Sequence, residues 1–230
     1  MGRKTKKKKL PKELIAIPNE DKKFHEKWKS GRDLLNFPHP FRGVFMGPPN
    51  MGKSTTVKNL VLRAKPQFEE VLCVHCDPEY TQEYDDVGAT MLGEIPAPEE
   101  FEGEVKTLVI IDDLDIKNLN KDQKSNLDRL FGFVSTHKNI SVCLCTQDVF
   151  NLQPNIRRCA NLWVLWRSVD LDSMATIARK GGMAVNSFKD IFEDLMTEPR
   201  DSLWLDMTPK SPAPMRKNGY QKIVLTTENR

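Results

Sequence analysis

The run Gly47-Pro48-Pro49-Asn50-Met51-Gly52-Lys53-Ser54 fits the pattern G-x-x-x-x-G-K-[ST], and each residue type in it has work to do on a phosphate chain. Gly52 lets backbone amides approach an anion closely. Lys53 brings a point charge to the β and γ oxygens, and the Ser54 hydroxyl can ligate Mg²⁺. Pro48 and Pro49 lack an N–H, so the cradle must draw on the amides from Asn50 through Met51 to Thr55. A second chemical element follows in Thr107-Leu108-Val109-Ile110-Ile111-Asp112-Asp113, an apolar run that ends in two acids. Asp112 suits a Mg²⁺ shell, and Asp113 suits the orientation and polarisation of an attacking water. The alternative for Asp113 and Asp115 is simple capping of the next helix.

A third element is Ile140-Ser141-Val142-Cys143-Leu144-Cys145-Thr146-Gln147, an apolar run with a polar tip. If this strand lies between the other two, Thr146 or Gln147 stands beside a γ-phosphate. An amide there can accept from water and donate to phosphate; the alternative for the pair is a helix cap. Arg157 and Arg158 follow, read as a loop before the strand 161–166, where a guanidinium could reach a phosphate of a neighbouring subunit.

The elements needed to position these groups are legible around them. Arg42-Gly43-Val44-Phe45-Met46 reads as a short buried strand entering the glycine-lysine loop. Val57, Leu60, Val61 and Ala64 recur at helical spacing until Lys65-Pro66. That helix starts at the loop, so its positive end faces the anion. Val71 to Cys76 is a second strand. Asp77 to Lys106, acidic and proline-containing, reads as a loop with one short helix. Leu127, Leu130, Phe131 and Val134 mark a helix, as do 172–180 and 188–196, and 202–206 is a last strand. Arg179-Lys180-Gly181-Gly182 reads as a basic, glycine-hinged loop or a plain helix C-cap.

The 230 residues suffice for one α/β domain with extensions, and the 39% hydrophobic and 29% charged content is that of an ordinary globular chain. No apolar run is long enough for a membrane span, and the basic N-terminus lacks the apolar core of a secretory signal. The five cysteines lie mostly in strand candidates, so Cys73 and Cys76 are expected to be core thiols rather than a zinc or redox pair. His39 reads as a loop residue. The net charge of +3 hides a block of seven basic residues and no acid within 1–12. That block reads as a disordered arm: a nucleic-acid contact, an import signal, or a solvated tail. Residues 13–40 are expected to pack on the core edge through Phe24, Trp28 and Leu34-Leu35. Residues 41–208 form the catalytic domain, and 209–230 a mobile tail.

The order strand, phosphate loop, helix, strand, acid-tipped strand, Gln-tipped strand, Arg-bearing segment, strand resembles the FtsK–HerA superfamily of DNA-pumping ATPases. Within it, the nearest likeness is to the genome-packaging ATPases of viruses with double-jelly-roll capsid proteins. The resemblance rests on Gly47 to Ser54, Val109 to Asp113, His137-Lys138-Asn139-Ile140-Ser141 leading to Thr146-Gln147, and Ile156-Arg157. It implies a RecA-like P-loop NTPase fold of the ASCE type, with a mainly parallel central sheet flanked by helices. It further implies ATP and Mg²⁺ as substrate and cofactor, and a ring of five or six copies on double-stranded DNA. Capsid vertex proteins would be partners, and the site of action the interior of a host cell or the virion. An Arg-His pair commonly precedes the fourth strand in such relatives; here Thr136-His137 stands there. The trans cation is then Lys138, Arg157 or Arg158, with Arg157 ranked first. Competing classes are a small-molecule kinase and a nucleotide-gated DNA-binding or scaffold protein.

Overall fold

The computed structural model describes residue 32 and residues 37–79, 82–167 and 170–225. The framework is one nine-stranded sheet in the order β3-β2-β4-β5-β1-β6-β7-β8-β9. Its strands are β1 (Arg42–Met46), β2 (Glu70–Val74), β3 (Thr90–Leu92), β4 (Thr107–Ile111), β5 (Ile140–Thr146), β6 (Leu162–Trp166), β7 (Ser202–Asp206), β8 (Met215–Lys217) and β9 (Gln221–Lys222). Pairing is parallel from β3 through β6 and antiparallel from β6 through β9. The mainly parallel α/β class expected from alternating elements is therefore correct.

Helix α1 (Lys53–Arg63) follows β1, and α2 (Lys121–Arg129) follows β4. The latter continues through a π-helical stretch, Leu130–Val134, and one further turn, Ser135–His137. Helices α3 (Pro154–Cys159), α4 (Leu171–Lys180) and α5 (Val185–Leu195) complete the layers. The five residues of β4 are all buried, because helices or loops cover both faces. Alternate residues accordingly feed two apolar layers. Val109, Ile111, Val142 and Leu144 pack with Leu127, Phe131, Ile177 and Phe188. On the other face, Phe45, Ile110 and Cys143 pack with Val57, Leu60 and Trp204. Each such large side chain, fully buried, contributes about 1.5–3 kcal/mol.

Three expectations need correction. The stretch 77–106 is not mere loop: Thr90–Leu92 forms the edge strand β3, in register with Leu72 to Val74. Three residues with an exposed Thr90 carry too little alternation to be seen beforehand. Arg157 and Arg158 are helical, on α3, because Pro154 at its first turn starts a helix. The tail expected to be mobile from Pro209 instead returns into the sheet as β8 and β9, with Met215 and Arg216 buried.

Of the segment 13–40, Arg32 pairs with Asp206 at 2.5 Å, and Phe37 lies 5.1 Å from the Trp204 ring. The basic arm and the segment around Phe24 and Trp28 lie outside the described residues.

Candidate active site

Three parallel strands deliver the chemistry. β5 lies between β4 and β1, so the two acids, the polar tip and the glycine-lysine loop emerge side by side at one carboxyl edge. The register is tight: Met46 pairs with Thr146, and Gly47 N donates to Thr146 O at 3.1 Å. Gly47 has to be glycine, because a Cβ there would stand 2.8 Å from Trp166 Cβ.

The loop then reverses through Asn50 (φ 61°) and Gly52 (φ 92°), both left-handed, and α1 begins. No side chain caps α1, so none occupies the amides of its first turn, and the first helical bond is Thr56 N to Gly52 O at 2.9 Å. Unoccupied amides at a helix start are what an anion cradle requires. Lys53 Nζ arches back to donate to Gly47 O (3.0 Å) and Pro48 O (2.9 Å). Met51 packs against the apolar layer under α1, and Thr55 is exposed on the first turn.

Lys53, Asp112, Asp113, Thr146 and Gln147 line one cavity of about 440 Å³, joined by His75 from the end of β2. Asp112 is buried, and Ser54 Oγ donates to its Oδ2 at 3.0 Å. These two hard oxygen donors, side by side beneath the loop, fit Mg²⁺. Asp113 is the next residue, in a left-handed conformation (φ 49°) that Asp tolerates better than most. Its side chain is 75% exposed, with Oδ2 at 4.0 Å from His75 Nε2. It does not cap the following 3₁₀ turn; Asp115 does, accepting from Asn118 N. Gln147 is exposed in the cavity mouth, and the turn after it is capped by Asp148, not by Gln147.

Sequence reasoning missed Tyr84. It is fully buried and donates to Asp112 Oδ2 at 2.5 Å from the stretch that had been read as loop. Burial pushes its phenol far above the ordinary range, so it remains a donor at neutral pH. An aromatic in an acidic, aperiodic stretch gives no spacing signal, and only the fold brings it under the metal-type carboxylate.

The thiols divide. Burial, followed by the Asp112 charge, raises Cys73 to about 12 and holds Cys143 and Cys145 well above the ordinary thiol value. These are inert core thiols, as expected. Cys76 is not: it is exposed, and its sulfur lies with His75 and Asp113 in a group whose ligand atoms are all within 4.8 Å of one another. His39 is a loop residue held by Ser141 Oγ (2.8 Å) and Asn139 Oδ1 (2.7 Å).

Arg157 does not join this site within one chain. It faces a separate cavity with Trp163 and Lys180, its guanidinium 5.8 Å from the Phe150 ring. Its Nε is buried with no hydrogen-bond partner among the described residues. Lys138, by contrast, donates to Phe101 O, and Arg158 to Pro154 O. Gly181 and Gly182 serve as the C-terminal cap of α4, with Gly182 at φ 71°.

A strand order with β5 between the phosphate-loop and acid-tipped strands, and a cavity joining their ends, define a P-loop ATPase. The model of the ATPase family associated with various cellular activities (AAA) matches residues 44–164, and the chain belongs to that family. No curated protein matches it by sequence. Among solved structures, the fold is similar to that of the genome-packaging NTPase B204 from Sulfolobus turreted icosahedral virus 2, solved in complex with AMPPCP. The TM-score is 0.55 at 14% identity, over 81% of this chain and 100% of that one. B204 from Sulfolobus turreted icosahedral virus, a DNA-packaging ATPase, gives 0.54 at 15% identity, over 79% and 97%. The pCW3 conjugation coupling protein TcpA, with ATPγS, gives 0.52 at 15%, over 79% of this chain and 60% of that one. The FtsK–HerA-type likeness drawn from the motifs is thus matched in the fold.

Proposed function

We propose that this chain is an ATP-driven motor that moves double-stranded DNA into a preformed viral capsid. One observation carries the reading: Lys53, Asp112, Asp113 and Gln147 line a single cavity at the edge where the ends of β4, β5 and β1 come together. A nucleotide-binding scaffold needs no second acid at Asp113. The fold shared with packaging NTPases supports DNA as the load.

In this reading the amides from Asn50 to Thr55 and the Lys53 ammonium hold the triphosphate. Ser54 Oγ and Asp112 would hold Mg²⁺, which when bound neutralises charge on the phosphate oxygens. Asp113, on the exposed side of the pair, orients the attacking water and accepts its proton. The Gln147 amide bonds both water and phosphate, so it senses whether the γ-phosphate is still attached. A cation from the adjoining copy in a ring of five or six completes the charge balance. Arg157 ranks first, since its Nε has no hydrogen-bond partner among the described residues whereas Lys138 and Arg158 already donate to carbonyls. The basic arm 1–12 serves DNA contact or import, capsid vertex proteins receive the ring, and the work takes place inside the host cell.

The test is ATPase activity against protein concentration, with and without duplex DNA. Stimulation by DNA and specific activity that rises with assembly support the motor. Indifference to DNA, with phosphate passed to a small acceptor, would establish a kinase instead. Nucleotide binding without turnover under every condition would establish a gated scaffold.

A further inference from the structure

The sheet edge that carries the two acids brings a second, softer set of donors beside them. β2 and β4 are parallel neighbours, with Val74 opposite Ile111, and Asp112 N donates to Val74 O at 3.0 Å. The residues that follow the two strands, His75-Cys76 and Asp112-Asp113, therefore emerge side by side. His75 is pinned in turn to β3, its N donating to Leu92 O at 3.0 Å.

The acids part ways at this edge. Asp112 is buried, with its carboxylate under the hydroxyls of Ser54 and Tyr84. Asp113 is exposed and turns instead to His75, with Oδ2 at 4.0 Å from Nε2. Cys76 is exposed as well, with its Sγ at 4.0 Å from His75 Nδ1. The ligand atoms of the three residues lie within 4.8 Å of one another. A tetrahedral Zn²⁺ holds sulfur, nitrogen and oxygen ligands about 3.3–3.6 Å apart. The group falls short of that by about an ångström, which rotation of the two exposed side chains can close.

The imidazole is supported from behind. Asp77 N and Asp77 O lie 3.0 and 3.1 Å from Nδ1. When Nδ1–H donates to the Asp77 carbonyl, the lone pair sits on Nε2, the nitrogen towards Asp113. A backbone carbonyl in that place is the usual support of a ligating histidine. Thiolate and imidazole with one carboxylate suit zinc-class cations, whereas Mg²⁺ takes oxygen ligands. The hard pair Ser54 and Asp112 thus stands next to a softer triad.

We infer that His75, Cys76 and Asp113 form a binding site for a zinc-class divalent cation, which silences hydrolysis by taking the Asp113 carboxylate away from the attacking water. The silencing rests on the water-orienting role of Asp113; the cation site does not.

Co²⁺, a coloured stand-in for Zn²⁺, is titrated first into the full chain without nucleotide. A thiolate-to-cobalt charge-transfer band is expected in the parent and in Cys159→Ala, and is expected to vanish in Cys76→Ala. The exposed Cys76 can be changed without endangering the fold. Zn²⁺ is then titrated into ATPase assays held at excess Mg²⁺. Without zinc, Cys76→Ala should turn over at the parental rate, since Cys76 does not line the catalytic cavity. Its half-inhibition should need at least about tenfold more Zn²⁺ than the parent, because even the contacts behind a ligand commonly change affinity that much. Absence of the cobalt band, or its persistence in Cys76→Ala, overturns the site. Equal zinc sensitivity of the two proteins overturns the silencing. A cobalt band in a parent that hydrolyses no ATP upholds the site and sinks the hydrolytic reading on its own.

Discussion

The Tyr84 hydroxyl and the Ser54 hydroxyl both donate to one oxygen, Asp112 Oδ2, at 2.5 and 3.0 Å. Asp112 Oδ1 accepts from Asp113 N at 3.1 Å, so the metal-type carboxylate is held at both oxygens. Second contacts of this kind commonly change metal affinity ten- to hundredfold when removed. Tyr84→Phe is therefore expected to raise the Mg²⁺ concentration for half-maximal turnover by about tenfold. Nucleotide affinity without metal should stay constant. A titration of fluorescent nucleotide with and without Mg²⁺ checks both; equal Mg²⁺ dependence would relegate Tyr84 to packing.

Removing the Lys53 ammonium withdraws the one side-chain cation that lines the catalytic cavity among the described residues. Lys53→Ala should abolish hydrolysis, while circular dichroism and the unfolding midpoint remain those of the parent. Wild-type turnover in this variant would refute the loop assignment.

For Asp113, the φ of 49° selects the substitution. Asn tolerates that conformation, so Asp113→Asn removes the charge without disturbing the backbone. Turnover should fall by about 10²- to 10⁴-fold with ATP affinity intact. A loss of binding to match the loss of rate would mean that Asp113 holds the nucleotide and not the water.

The root of the phosphate loop leaves no room for a side chain. Gly47→Ala puts a methyl group 2.8 Å from Trp166 Cβ. Overpacking of this sort costs roughly 1–3 kcal/mol. Urea unfolding should register that loss together with weakened ATP binding, because the displaced atoms carry the loop.

His39 provides a pH signature. Burial lowers it from 6.5 to about 4, against a hydrogen bond to Asn139 that raises it and with Lys106 nearby lowering it further. Its folded value lies below its unfolded one, so between about pH 6.5 and 4 the unfolded chain binds the extra proton. Stability is then expected to fall as pH drops through that window, by roughly 3 kcal/mol for this group. Comparing unfolding midpoints at pH 7 and pH 4.5 for the parent and His39→Gln measures it, and the variant should show the shallower slope.

How much of this was readable beforehand divides along physical lines. Residues whose neighbours in space are neighbours in sequence were legible: Gly52, Lys53 and Ser54 act within one turn, and Val109 to Asp113 within one strand. Gln147 was legible because it stands at the polar tip that follows an apolar strand. Tyr84 was not, since it bonds Asp112 on an element far along the chain and carries no periodic mark. The short strands β3 and β8, of three residues each, are set by pairing with β2 and β7, not by their own pattern. Cys73 and Cys76 were treated alike because spacing says nothing about depth; the strand ends at Val74, and only the first is inside.

The backbone bond from Gly47 to Thr146 has a mechanical corollary. It ties the root of the nucleotide cradle to the last residue of the strand that carries the sensing amide, leaving no slack between them. In the proposed mechanism, movement on phosphate departure would be taken up past Thr146, along residues 147–153 with their 3₁₀ turn (Val149–Asn151), which lead to the short helix bearing Arg157. Ligand detection and the cation offered to an adjoining copy would then share one hinge.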